Sequence, residues 1–233
     1  GDKQWLMPYL PVDPADLGLT YEAVIRVNSQ SGKGGIAYLL TQALGVELPR
    51  RMQVAFYQVI QAVADQTSKE ISTDDIVQAF SKHYHVPIAG VPKTDGRFKL
   101  HSFRLYDGDE STEAEPLNGT STPRETVDVT GTGNGPISAL MDAIEEHFNI
   151  FVNVREYSEH AITRPGALDL GSAATSSHSQ TRAQAASYVE LVKSEDTRQF
   201  GEQKAKGFWG AGVDVDITSA GLKAVLSALS TVD

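Results

Sequence analysis

Gly131-Thr132-Gly133-Asn134-Gly135-Pro136-Ile137-Ser138-Ala139-Leu140-Met141-Asp142-Ala143-Ile144 is a junction where an extended segment turns into a helix. Glycine lets backbone approach backbone, or a ligand, with no Cβ between. Pro136 suits the first helical position, which needs no N–H. Ile137, Leu140, Met141 and Ile144 then fall on one helical face, so the helix spans Pro136 to Phe148. The same grammar recurs downstream. Gly210-Ala211-Gly212 closes a strand over Phe208 to Val215, and Leu222, Val225, Leu226 and Leu229 repeat the spacing in a helix over Ile217 to Leu229. Residues 97–149 and 150–231 therefore read as two copies of a β-rich unit closed by one helix. One such unit has a single sheet face and a single helix stripe, so two copies bury their apolar faces together.

Strands are expected at Phe98 to Tyr106, around Val127 and Val129, at Phe151 to Tyr157 and at Tyr188 to Lys193. Residues 107–124, acidic and then rich in Ser, Thr, Gly and Pro, read as a loop with room for a short strand, and 163–181 as another loop. Upstream the pattern is helical. Lys33 to Leu44 follows a glycine-rich turn. Met52, Phe56, Val59, Ile60 and Val63 mark one face of a helix over 49–66. Ser72-Thr73-Asp74-Asp75 offers a capping serine with acids at the helix start, followed by Ile76, Phe80 and Tyr84 at steps of four. The two latter helices form an αα-hairpin. Before Lys33, Pro8, Pro11 and Pro14 break helix, Asp13-Pro14 can start a short one, and Tyr21 to Val27 fits helix or strand.

Composition narrows the function. The 233 residues carry 20 basic and 30 acidic side chains, a net charge of -10. That balance disfavours a nucleic-acid or anionic-membrane binder. No apolar run approaches the roughly 20 residues of a membrane-spanning helix, and no signal-peptide pattern opens the chain. With 0 cysteines, disulfides, thiolate catalysis and sulfur-ligated zinc are excluded. A cytoplasmic location is expected. Gly1 in place of methionine is expected of a piece of a longer protein.

At the Gly131–Pro136 turn two readings stand. The outward amides hold a ligand carboxylate or phosphate, or the turn is tight and empty. It departs from a dinucleotide fingerprint, because Pro136 takes the place of the third glycine. Ser31-Gly32-Lys33-Gly34-Gly35 lacks the spacing of a phosphate loop and reads as a turn. His83 and His85, two apart, do not converge on a metal. Glu159-His160 are strand neighbours and point to opposite faces. No serine elbow or His-Glu-x-x-His occurs, so binding or regulation is favoured over chemistry.

The runs Pro8 to Pro14, Tyr21 to Gly35 and Leu48 to Gln53 closely resemble the long-type 2-isopropylmalate synthases of actinobacteria. Gly131 to Pro136, Tyr157 with Glu159-His160-Ala161, Ala185 to Val189 and Trp209 to Gly212 resemble that family's C-terminal regulatory domain. The resemblance implies an α+β fold: small helical linker subdomains, then a regulatory domain of two β-β-β-α units about a pseudo-twofold axis. It divides the chain into a first linker remnant at 1–44, a helical linker at 45–89 and a leucine-binding, dimerising domain at 90–233. The intact enzymes of the family condense acetyl-CoA with 2-oxoisovalerate to 2-isopropylmalate and CoA, in leucine biosynthesis. Their divalent metal sits in a catalytic barrel that this sequence lacks, so no cofactor is expected here and the piece alone is expected to be inactive.

Carried over by resemblance, Tyr9 matches the linker tyrosine that reaches the partner's active site, an auxiliary catalytic role. For the effector L-leucine the matching positions are Gly133, Asn134, Gly135, Ile137 and Ser138 at the first helix, Tyr157 and Ala161 on the next strand, Ala183 across the loop and Ile217 at the second helix. Ser138 stands where the family has alanine. The expected partners are leucine and a second copy of the chain. Two rivals remain open: a purely structural dimerisation module, and a citramalate synthase-type regulatory domain answering to isoleucine. An enzyme using nucleotides through the glycine turns is the remote third.

Overall fold

The computed structural model describes residues 32–67, 71–94, 96–98, 104–107, 110–113, 128–162 and 183–231. Tyr9, the proline-rich start, the Tyr21 to Val27 run, Val127 and the 163–181 loop lie outside the described residues. The fold is α+β. Three helices come first: α1 (Lys33–Leu44), α2 (Arg50–Thr67) and α3 (Thr73–Tyr84). Strands β1 (Arg104–Asp107) and β2 (Glu110–Glu113) form an antiparallel pair, the second inside the segment read as a loop with room for a strand. Then follow α4 (Pro136–Phe148), β3 (Val152–Ile162), β4 (Gln184–Lys193), α5 (Ser194–Phe200), β5 (Gly207–Asp214) and α6 (Ile217–Ser230).

Helix ends follow local chemistry. Gly45, at φ 72, ends α1 in the left-handed conformation that glycine adopts without a Cβ penalty. At α3 the expected cap forms as a full capping box: the Ser72 hydroxyl accepts from the Asp75 amide at 3.1 Å, and Asp75 accepts from the Ser72 amide at 2.9 Å. Met52, Phe56 and Ile60 of α2 are buried against Ile76, Phe80 and Tyr84 of α3, with Phe56 edge-on to Phe80 at 5.6 Å. The hairpin does not stand alone, because α1 packs on both helices through Ile36, Leu40 and Leu44.

The sheet runs β3-β4-β5, antiparallel throughout. Ala186, Tyr188, Trp209, Ala211 and Val213 turn one face to the α1–α3 cluster. Val189, Leu191 and Phe208 turn the other to α6 and α4. Both faces of β4 and β5 are covered, so their burial is continuous instead of alternating. The outer edge of β5 is closed by side chains. The Ala211 amide donates to Ser227 Oγ at 3.0 Å, and Thr231 Oγ1 donates to the Trp209 carbonyl at 3.4 Å.

Three expectations are corrected. Residues 128–130, around Val129, lie in no strand; the Thr132 amide donates to Asp142 Oδ2 at 2.7 Å and the Thr130 amide to His147 Nε2 at 3.5 Å, so both are spent on side chains of α4. Of the strand expected over Phe98 to Tyr106, Phe98 is irregular and 104–106 lie in β1, while 99–103 are outside the described residues. Helix α5 was not expected; it is one short element whose start is marked by Glu195 and Asp196.

The internal repeat is real but in a shifted register. A Cβ at Gly131 would collide with the Ala139 carbonyl and the Ala143 amide; one at Gly212 would collide with the Ala220 carbonyl and the Ala224 amide. The equivalent residues are therefore Gly131 and Gly212, Ala139 and Ala220, Ala143 and Ala224, with Pro136 and Ile217 both opening a helix. In each half a glycine on the approaching segment lies on an alanine-lined helix, which lets the two backbones touch. Matching the two Gly-x-Gly triplets, or the leucine-type spacing, misses this register, because the constraint sits on the small residues.

Candidate functional site

Where the halves meet, α4 of the first packs on α6 of the second. Gly221, one turn into α6, is a point of close approach. A Cβ there would lie 2.9 Å from Tyr157 Oη and 3.5 Å from Ile137 Cδ1. Ile137 of α4, Tyr157 of β3 and the bare backbone of α6 thus converge. Tyr157 is 37% exposed and Ile217, the first residue of α6, 48%. The convergence opens to solvent with an apolar wall and a phenol.

The polar groups around Tyr157 are fixed by strand geometry. Its hydroxyl donates to Glu159 Oε2 at 2.7 Å, two residues along the same strand face. It also lies 3.4 Å from Ser187 Oγ on the neighbouring β4. Partial burial, with Glu159 beside it, raises the Tyr157 pKa above the usual phenol value, against a lowering contribution from Ser187. The hydroxyl is therefore a donor throughout the physiological range.

The two helix starts differ. At α6 the Asp216 carboxylate caps the helix, accepting from the Ser219 amide and hydroxyl at 2.8 Å each. The protein's own anion fills that terminus. Asp214, at the end of β5, accepts from Lys223 Nζ at 2.6 Å. At α4, among the described residues, no carboxylate takes the equivalent place. Gly135 is the N-cap, extended at φ -178, with open space where a side chain would project. Ser138 Oγ accepts from the Gly135 amide at 3.0 Å and donates to the Gly135 carbonyl at 3.0 Å. The serine is a local cap, and the Gly135 amide is already engaged. The next N–H groups, of Ile137 and Ser138, belong to the first turn, where a helix leaves its donors pointing outward.

The remaining expected positions are placed as follows. Gly133 packs on Ser138 and Ala139 at the helix start, and Asn134 is exposed beside it. Ala161 shares the strand face of Tyr157 but lies four residues further on, roughly 13 Å at the usual strand rise. It pairs with Ala185. Ala183 is exposed just before β4. So Ile137 and Tyr157 come together, Gly133 to Ser138 line the turn beside them, and Ala161 and Ala183 stand apart along the β3–β4 pair. Gly221, Ser187 and Glu159 complete the convergence and were not among the positions expected from sequence. A glycine inside a helical pattern was the available signal for Gly221.

A second concavity, about 540 Å³, lies at the other end of β3 and α6 and is lined by Arg97, Phe151, Lys193, Arg198 and Leu229 among others. None of the expected effector positions lines it. Among the described residues, no group of three or more His, Asp or Glu is placed to hold a metal, and no helix is long and apolar enough to cross a membrane.

Two family profiles match the chain: Alpha-isopropylmalate synthase, post-catalytic domain-like, over residues 1–41, and LeuA allosteric (dimerisation) domain over residues 70–168. The chain is 38% identical to a 2-isopropylmalate synthase of Schizosaccharomyces pombe over 235 residues, covering 98% of this chain and 35% of that protein. It is 36% identical to one of Saccharomyces cerevisiae, covering 100% of this chain and 34% of the relative. With one of Kineococcus radiotolerans the identity is 40%, covering 97% and 34%. The chain thus spans about a third of the length of the curated relatives it matches.

Proposed function

We propose, starting from the chain's membership of the 2-isopropylmalate synthase family through its post-catalytic and LeuA allosteric (dimerisation) segments, that it is a regulatory portion which binds L-leucine where its two halves meet. In this reading it dimerises and feeds leucine occupancy back to an acyltransferase acting on acetyl-CoA and 2-oxoisovalerate. The observation that carries it is the asymmetry of the duplicated helix starts. One is filled by Asp216, while the other, beside Ile137, Tyr157 and Gly221, has glycine as its N-cap and no carboxylate among the described residues.

The chemistry matches an α-amino acid with a branched tail. The first-turn amides of α4 take the carboxylate. Glu159, held against Tyr157, takes the ammonium. The isobutyl group lies over Ile137, on the solvent side of the contact that Tyr157 and Ile137 make with Gly221. A pocket of this kind distinguishes one methylene by only about 1–3 kcal/mol, so valine binds more weakly and is not excluded. Tyr9, as an auxiliary catalytic group reaching a partner subunit, and a divalent metal in a separate catalytic unit belong to the same reading of the longer enzyme.

Calorimetry with leucine, isoleucine and valine tests this, alongside Gly135→Trp. Because a Cβ at Gly135 meets nothing within 4 Å and its φ is open to any residue, the fold is expected to accept the indole, which in this reading blocks the first turn of α4. Leucine is expected to bind most tightly, and the variant to bind none while melting like the parent. Heat from isoleucine but not leucine would favour the citramalate synthase-type reading. No heat from any of the three would leave a structural dimerisation module.

A further inference from the structure

The two faces of β3 serve different neighbours. Tyr157 and Glu159 face α6, and His160 faces the α1–α3 cluster. On β4, Ser187 lies toward Tyr157, and the next residue, Tyr188, is buried toward the helices. His160 stacks on Tyr188 with ring centroids 5.6 Å apart and planes at 19°. Tyr188 Oη lies 2.9 Å from His160 Nε2. The Glu47 amide donates into this pair, at 3.1 Å from Tyr188 Oη and 3.0 Å from His160 Nε2.

The donors and acceptors allow one consistent assignment. His160 Nδ1 lies 3.0 Å from the Ala161 carbonyl, which can only accept. Nδ1 therefore carries the proton, Nε2 is an acceptor, and the Tyr188 hydroxyl donates to it while accepting from Glu47. Glu47 sits in the connection between α1 and α2, whose neighbours Val46 and Leu48 are buried. A second tie lies close by. Arg155, turned by the β-bulge between Val154 and Glu156, pairs with buried Glu190, and Arg51 of α2 reaches the same carboxylate at 3.5 Å. The turn joining α1 to α2 is thus pinned to the back of the strands that carry Tyr157 and Ser187.

We propose that His160, Tyr188 and the Glu47 amide form the joint that conveys effector occupancy from the Tyr157 face of the sheet to the helical segment. The proposal rests on the leucine-binding reading above and names how that site is coupled. His160 and Tyr188 are positioning residues, which touch no effector. A ligand engaging Tyr157 displaces the strand, and a hydrogen-bonded joint on its opposite face responds because such bonds weaken steeply with misalignment.

Amide exchange at Glu47, read by NMR in the full chain with and without L-leucine, tests it. In the parent, leucine changes the Glu47 exchange rate by about fivefold, the ratio one net hydrogen bond supports. His160→Phe, and Tyr188→Phe as the milder variant that keeps the ring, still bind leucine by calorimetry, with an affinity changed by no more than about the same fivefold that linkage requires, but lose the response at Glu47. A parent that binds leucine with no change at Glu47 overturns the joint, as does a variant of either kind that keeps the full response. A parent that binds no leucine by calorimetry overturns the functional reading beneath it, a result seen before any exchange is measured.

Discussion

Tyr157 and Glu159 gain their roles from being two apart on a strand, which puts phenol and carboxylate on one face. If Glu159 takes an effector ammonium, Glu159→Gln removes a charge-assisted bond worth about 1.5–3 kcal/mol. Leucine affinity is expected to fall by about 10- to 100-fold, while 4-methylpentanoate, which has no ammonium, is unaffected. Titration calorimetry with both ligands checks this, and an equal loss for both would remove Glu159 from the site. The sequence showed Tyr157 only through resemblance. Its Ser187 neighbour is distant in the chain and came from strand register, which no local pattern states. The adjacency Glu159-His160 did correctly predict opposite faces: one residue reaches Tyr157, the other Tyr188.

Five of the six described helices were readable to within a residue or two, from an apolar period or from a clear cap or stop. Lys33–Leu44 and Pro136–Phe148 have the expected bounds. The strand expectations failed at Phe98 and at 128–130, because alternation says nothing about whether the amides are spent on a partner strand or, as at Thr130 and Thr132, on helix side chains. Helix α5 was missed because it is too short to show a period. The register of the repeat was misjudged because large apolar residues were matched, whereas the constraint is glycine on alanine. That constraint has a measurable cost. Gly212→Ala places a methyl against backbone atoms of Ala220 and Ala224, which cannot swing aside. Overpacking of this kind costs about 1–3 kcal/mol, so the melting midpoint drops by roughly 2–10 °C for a chain of this size. Gly135→Ala, with open space before it, leaves the midpoint unchanged within about 1 °C, since surface changes fall within about 0.5 kcal/mol.

Across the molecule, one sheet is shared by two packing partners. Its α6 face holds the convergence of Ile137, Tyr157 and Gly221, and its other face holds α1–α3. Tyr84 and Tyr188 are buried on the helical side, and loss of solvation raises both phenol pKa values well beyond the usual range. The sign follows from linkage. Above about pH 10 an unfolded tyrosine releases its proton, whereas the folded residues keep theirs, so the native state binds more protons and stability falls as pH rises. Stability is expected to be level to about pH 9 and to decline beyond about pH 10. Urea melts across that range should show a shallower decline for Tyr188→Phe. A slope unchanged by that substitution would mean that Tyr188 is not held protonated by the fold.

Most of what is claimed for this chain turns on whether a branched amino acid enters between α4, β3 and α6. A crystal structure grown with L-leucine decides it. Density is expected over Ile137 and Tyr157, with the carboxylate at the first turn of α4 and the ammonium toward Glu159. Leucine bound elsewhere, such as in the Arg97–Arg198 concavity, or a junction filled by the chain itself, would contradict it.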